Sequence, residues 1–280
     1  MKKTCDQFRR WPNKAVTLLG MSGVGKTTLA NKLPADKWFH YSGDYRIGTH
    51  YLDEPIRDSI KAKAMKDEFF RDLFQRDLIY LRNNISVHNL RIVAHFLGKI
   101  GNPELGGLSV DEFKRRQRLF HHAEACAMRD VEAFIGKARN IYGYPNFLND
   151  AGGSICELGE SECWKMLSEK TLVLYLRADE KMEATLLARA RAHPKPMYYG
   201  EKFLEKHLAE FLEEHKLASA GEIPPDDFTQ WIFPKLLECR RPQYERIAER
   251  HGHTIDAARI FELRDEADFI ELVCDATNGA

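Results

Sequence analysis

The stretch Leu18-Leu19-Gly20-Met21-Ser22-Gly23-Val24-Gly25-Lys26-Thr27-Thr28 decides how the rest of the chain is read. It satisfies the G-x-x-x-x-G-K-[ST] spacing of a phosphate-binding loop, and it sits in the context such a loop requires. Before it, Ala15–Leu19 reads as a short buried strand. After it, Thr28, Leu29, Ala30 and Leu33 continue as a helix that Pro34 ends. The competing reading, a chance glycine turn before a surface helix, does not explain why an apolar strand precedes the glycines. Backbone N–H groups of Gly23, Val24, Gly25 and Lys26 are expected to face an anion at the positive end of the helix. Lys26 then reaches the β- and γ-phosphates, and the Thr27 hydroxyl ligates Mg²⁺. ATP with Mg²⁺ is therefore the first ligand to consider.

Moving outward, residues 38–41 read as a second strand, and Ser42-Gly43-Asp44-Tyr45-Arg46 as the loop that leaves its end. Ligands gather at the carboxyl ends of strands in open α/β sheets, so Asp44 and Arg46 arrive on the side of the phosphate loop. A further strand over 146–149 ends at Asp150-Ala151-Gly152-Gly153. A carboxylate there is suited to hold Mg²⁺ or its water shell, whereas the alternative is an Asx-turn in which Asp150 caps backbone groups. Gly152 and Gly153 leave room for close approach to a ligand. The clearest later strand covers 171–176, and the helix after it carries Arg189 and Arg191 before a break that contains Lys195. These cations form a candidate lid over transferring phosphate, against the plainer reading of a solvated helix end.

Between the second and third strands, residues 54–141 read as mainly helical. Phe69, Phe70, Leu73, Phe74, Leu78 and Ile79 recur at helical spacing, as do Phe113, Leu119, Phe120, Ala123, Ala127, Val131 and Phe134. The glycines of 97–108 require a loop, with Ser109 or Asp111 capping the next helix. The expected organisation is a first part of the core over 1–53, a helical insertion or acceptor lobe over 54–141, and the remaining core over 142–280 with a lid near 189–200. His207 reads as a core-edge residue, Pro234 as a kink or restart, and 253–256 as a last strand.

Forty-two basic residues balance forty-two acidic ones, so no global charge points to nucleic acid or an anionic membrane. No run reaches the ~20 apolar residues of a membrane span. Six cysteines without C-x-x-C spacing, and a polar amino terminus, read as a reduced, soluble, cytoplasmic chain. Cys156 and Cys163 read as packed thiols. His121-His122 and His251-Gly252-His253 lack a metal-ligand partner set and read as surface or turn histidines.

Four blocks together resemble the shikimate-kinase and nucleoside-monophosphate-kinase branch of P-loop phosphotransferases. They are residues 20–28, Asp44 after strand two, Asn149-Asp150-Ala151-Gly152-Gly153, and strand 172–176 with its basic break. The whole chain also resembles bacterial proteins described only as predicted ATPases, in segments 44–49 and 195–199. The resemblance implies a P-loop NTPase three-layer α/β/α fold with a parallel central sheet, here carrying a large helical insertion. It implies that Asp44 and Arg46 engage an acceptor, that Gly152 and Gly153 border it, and that Arg189 or Arg191 contacts phosphate from the lid. Lys195 joins that substrate-binding set.

The leading functional expectation is Mg²⁺-dependent transfer of the ATP γ-phosphoryl group to a small, anionic, hydroxyl-bearing acceptor. Lys26, Asp44, Arg189 and Arg191 are its catalytic candidates, and Thr27 with Asp150 its metal ligands. Two alternatives stay open: an ATPase switch acting on a protein partner, and a kinase of nucleic-acid ends.

Overall fold

The computed structural model describes residues 2–159 and 162–278. After a first helix, α1 (Cys5–Arg10), strand β1 (Ala15–Leu19) buries all five side chains, which is why it is apolar except at Thr17. It is followed by α2 (Lys26–Lys32), β2 (Trp38–Ser42), β3 (Asn146–Asp150), β4 (Leu172–Arg177) and β5 (Gly252–Asp256). All strand pairs are parallel, in the order β2-β3-β1-β4-β5. This places the ends of β1, β2 and β3 side by side, with Asp150 in register with Leu18 on one side and Ser42 on the other.

The period-two alternation of β2 shows how two helical layers cover the sheet. Trp38 points to one face, where its ring meets Phe269 edge-on at 5.7 Å. Phe39 and Tyr41 point to the other, where both meet Phe134, and the Tyr41 hydroxyl donates to Ala127 O. The fold is a three-layer α/β/α sandwich with a five-stranded parallel sheet and many more helices than the sheet needs.

Several local expectations are corrected. Residues 43–46 form a short helix, α3 (Gly43–Arg46), because Ser42 Oγ accepts the Tyr45 N–H as a cap; a single π-helical turn, Ile47–Tyr51, follows it. Residues 54–141 hold α4 (Asp53–Ala64), α5 (Glu68–Gln75), α6 (Arg91–Leu97) and α7 (Val110–Asn140). The apolar positions of α5 do not enter a core: Phe69 is 66% exposed and Leu78, just beyond it, 64%. The loop before α7 and the Ser109 cap lie where the sequence puts them, Ser109 Oγ accepting from Glu112 N at 3.4 Å.

The later helices are α8 (Glu162–Lys170), α9 (Glu180–Ala192), α10 (Glu201–Glu214), α11 (Pro225–His251), α12 (Ala258–Glu262) and α13 (Glu266–Asn278). Pro234 and Pro242 both lie inside α11, which runs on through them. A second buried apolar cluster joins Ile100 and Phe113 to Leu204, Phe211, Phe228 and Ile232. It is built from α7, α10 and α11 together, so helices far apart in sequence share one core. His253 lies buried in β5 rather than in a turn.

The cysteine reading also changes. Cys5 and Cys274 form a disulfide across 269 residues of chain, while Cys126, Cys156, Cys163 and Cys239 are free. Spacing in sequence could not show the pair, because the packing of Phe8 on Phe269 is what brings α1 against α13. Burial pushes the thiols of Cys156 and Cys163 up to about 12, which leaves them packed and unreactive. Among the described residues no helix is long and apolar enough to cross a membrane.

Candidate functional site

The loop between β1 and α2 takes backbone conformations that need its glycines. Gly23 has φ +97° and Gly25 φ +100°, both in the region that side chains with a Cβ avoid. The Arg189 guanidinium lies directly over Gly23, in the space a Cβ would take. Lys26, first residue of α2, is buried, and its Nζ donates to Gly20 O at 2.7 Å and Met21 O at 3.1 Å. Burial lowers its pKa, and the charges of Asp150, Asp44 and Glu124 work against that. An ammonium encircled by carbonyls and carboxyls, with the unpaired first-turn amides of α2 beside it, is suited to a dense anion.

Asp150 ends β3 directly beside this lysine. The Thr27 hydroxyl donates to Asp150 Oδ2 at 2.7 Å, and His40 Nε2 lies 3.6 Å from the same oxygen. Burial pushes the Asp150 carboxyl up, yet His40, Lys26 and the Thr27 hydroxyl together hold it below the usual carboxylate range. A hydroxyl and an ionised carboxylate in contact form an oxygen pair that fits a hard divalent cation. Among the described residues no group of three or more His, Cys, Asp or Glu forms a complete metal cage, so such a cation would need oxygens from a ligand or water.

Asp44 stands on α3, half-buried, across Gly152 from Glu124: a Cβ at Gly152 would collide with Glu124 Oε1 and meet Asp44 Oδ1 at 3.3 Å. Burial and the charge of Asp150 raise the Asp44 pKa, while Lys26 and Lys195 lower it. Gly153 approaches the loop from the other side, its Cβ position 3.2 Å from Ser22 N. The structure thus brings Lys26, Thr27, Asp44, Asp150, Gly152, Gly153 and Arg189 together. Lys195, exposed on the segment after α9, lies within electrostatic reach of both Lys26 and Asp44.

Two expected residues are placed elsewhere. Arg46 pairs with Asp130 at 2.7 Å, its guanidinium 5.2 Å from the Phe134 ring centroid and 5.5 Å from that of Tyr51. The Tyr51 hydroxyl donates to the same Asp130 oxygen. Its charge is therefore committed to α7, because α3 is helical and turns the third residue after Gly43 away from Asp44. Arg191 is exposed at the end of α9, and it is Arg189, two positions earlier, that covers the loop.

A cavity of about 640 Å³ opens over these groups. Lys26, Thr27, Asp44, Asp150 and Arg189 line it, together with the apolar side chains of Val87, Leu90, Met182 and Phe261. The Phe261 ring sits over Gly25, where a Cβ would lie 3.3 Å away, and half of its surface remains exposed.

Sequence reasoning missed Glu124, Arg240, Tyr244 and Phe261. Glu124 was open to detection: it falls on the buried stripe of α7 between Phe120, Ala123, Ala127 and Met128, where a charged side chain is out of place. It is fully buried, and both its oxygens lie within 2.9 Å of Ser154 Oγ. Burial pushes its carboxyl up to about 8; the Ser154 hydroxyl and Arg240 oppose this, and Asp44 and Glu157 add to it.

That shift carries a sign. From the ordinary value of 4.5 to about 8 the folded protein keeps a proton that the unfolded chain has released. Stability should therefore fall as pH rises through this window, by up to about 1.4 kcal/mol per pH unit. Glu124→Gln should flatten the slope, and thermal melts of both proteins between about pH 5 and 8 check this.

No protein-family model and no curated protein matches this chain. Among solved structures, the chain is distantly similar to the crystal structure of a shikimate kinase from Bacteroides thetaiotaomicron, with a TM-score of 0.40 and 15% identity over 95% of this chain and 97% of that one.

Proposed function

We propose that the protein is a Mg²⁺-dependent P-loop phosphotransferase that moves the γ-phosphoryl group of ATP to a hydroxyl-bearing small molecule. The observation that carries the reading is the Thr27–Asp150 hydrogen bond at 2.7 Å, beside a buried Lys26 and beneath Arg189, in one cavity. In this reading the loop amides and Lys26 hold the β- and γ-phosphates, and Arg189 neutralises charge on the transferring group. Thr27 and Asp150 would hold the Mg²⁺, which would neutralise phosphate charge. Phe261 and Met182 offer an apolar seat for the base.

Asp44 faces the acceptor end. It orients the acceptor hydroxyl and takes its proton as the oxygen bonds to phosphorus and the ADP oxygen leaves. Because Arg46 is engaged by Asp130, an anionic part of the acceptor is left to Lys195.

The test is incubation with Mg²⁺ and γ-labelled ATP, with and without a metabolite extract, following labelled product and free phosphate separately. A labelled metabolite is the expected result. Asp44→Asn should cut its formation by about 10²–10⁴-fold while leaving nucleotide binding within a few-fold of wild type. Unchanged product formation by that variant would remove Asp44 as the base. One observation favours a second reading, an ATPase switch: α7 and α11 run from the second apolar cluster to the site, so a partner on that cluster's surface has a rigid route to it. Phosphate release without any labelled metabolite, stimulated by a protein fraction, would select it.

A further inference from the structure

Arg240 lies 3% exposed on α11, outside the cavity wall, and each of its three guanidinium nitrogens has a partner. Nε donates to Glu157 Oε1 at 2.6 Å, Nη1 to Gly153 O at 3.0 Å and Nη2 to Tyr198 O at 2.9 Å. Glu157 Oε2 accepts the Gly200 N–H at 2.9 Å, and Tyr244, one turn further along α11, donates to the same Gly153 carbonyl at 2.5 Å. The next residue of the turn, Ser154, donates its hydroxyl to Glu124 of α7. The turn that follows Asp150 is therefore clamped between two long helices. The same guanidinium joins that turn to residues 198–200, the segment that follows Arg189 and Lys195.

A buried ion pair is a weak source of stability, since well-packed apolar side chains often serve as well. What the planar fork supplies is direction, because it addresses three acceptors from two loops at fixed angles. We infer that Arg240 is a positioning residue: through Gly153 and Tyr198 it sets the Asp150 turn against the segment that follows Arg189 and Lys195. This rests on the phosphoryl-transfer reading, and it adds a residue that touches neither nucleotide nor acceptor.

The test uses the full chain as wild type, Arg240→Lys and Tyr244→Phe. Hydrogen exchange reads placement, and steady-state Mg-ATP turnover reads its consequence with kcat and KM separated. In Arg240→Lys, whose point charge cannot span three diverging acceptors, amides of 151–156 and 197–201 should exchange at least about tenfold faster while those of β1 and β4 keep wild-type rates. Its kcat should fall at least about tenfold with KM for Mg-ATP within about threefold. Tyr244→Phe removes one hydrogen bond and leaves the guanidinium, so it should show the same pattern at about threefold and serve as the test if the lysine variant does not fold.

Unchanged exchange in the two segments overturns the assignment, as does faster exchange with unchanged kcat. Faster exchange throughout the sheet, with KM rising as kcat falls, assigns Arg240 to general stability and also overturns it. Wild-type turnover no higher than that of Lys26→Ala would instead sink the phosphoryl-transfer reading, and Arg240's role with it, even where the exchange pattern holds.

Discussion

Lys26→Ala is expected to lower nucleotide turnover by about 10²–10³-fold or more, since it removes the buried ammonium at the centre of the proposed phosphate cradle. This ammonium donates to the carbonyls of Gly20 and Met21. Both are neutral acceptors, so these contacts hold the ammonium in place without cancelling its charge, and the proposed function has it turn to phosphate oxygens. The substitution also deletes the nearest positive charge facing Asp150 and Asp44, which makes the pocket repel an anion. Two measurements check it: titration with a fluorescent nucleotide, which should weaken at least about tenfold, and release of label from γ-labelled ATP. A thermal melt alongside shows that the variant is folded. Turnover within threefold of wild type would remove the phosphate-loop reading altogether.

The second large effect is expected at Asp150. Asp150→Ala should reduce Mg²⁺-dependent turnover by about 10²–10³-fold and shift the Mg²⁺ titration to higher concentration, because Thr27 is left as a lone hydroxyl. Nucleotide affinity measured without Mg²⁺ should hold or improve, since a carboxylate next to phosphate oxygens is repulsive until a cation lies between them. That opposite response separates a metal ligand from a residue that only caps a turn. An Asx-cap role predicts equal losses with and without Mg²⁺, together with a lower melting temperature. His40, 3.6 Å from the same carboxylate, offers no substitute oxygen, so it should not rescue the variant.

The particular elements explain which parts were legible. The strand before the glycines could be read because a strand buried on both faces is mostly apolar, and β1 is apolar at every position but Thr17, whose hydroxyl is paired with that of Thr171. Asp150 could be read because a parallel sheet brings the carboxyl ends of its strands to one edge, so a carboxylate just after an apolar run must arrive there. The same reasoning located Asp44. It failed for Arg46, because the residues after β2 coil into a capped helix, and one helical turn is enough to send the third side chain to Asp130. On α5 a strong apolar periodicity did not mean burial, since periodicity reports that a helix has an apolar side and not that anything covers it.

By itself the sequence determined the phosphate-loop signature, the parallel α/β class and the carboxylates at the strand ends. Each depends on contacts between residues close in the chain or on a rule common to all parallel sheets. Only the tertiary structure decided which cation covers the loop, Arg189 rather than Arg191, and that Glu124 and Arg240 grip the Asp150 turn from two helices. It alone paired Cys5 with Cys274 and assembled a second core from α7, α10 and α11. These are contacts between segments tens to hundreds of residues apart, fixed by how helices pack across the sheet, and no local pattern of residue types encodes them.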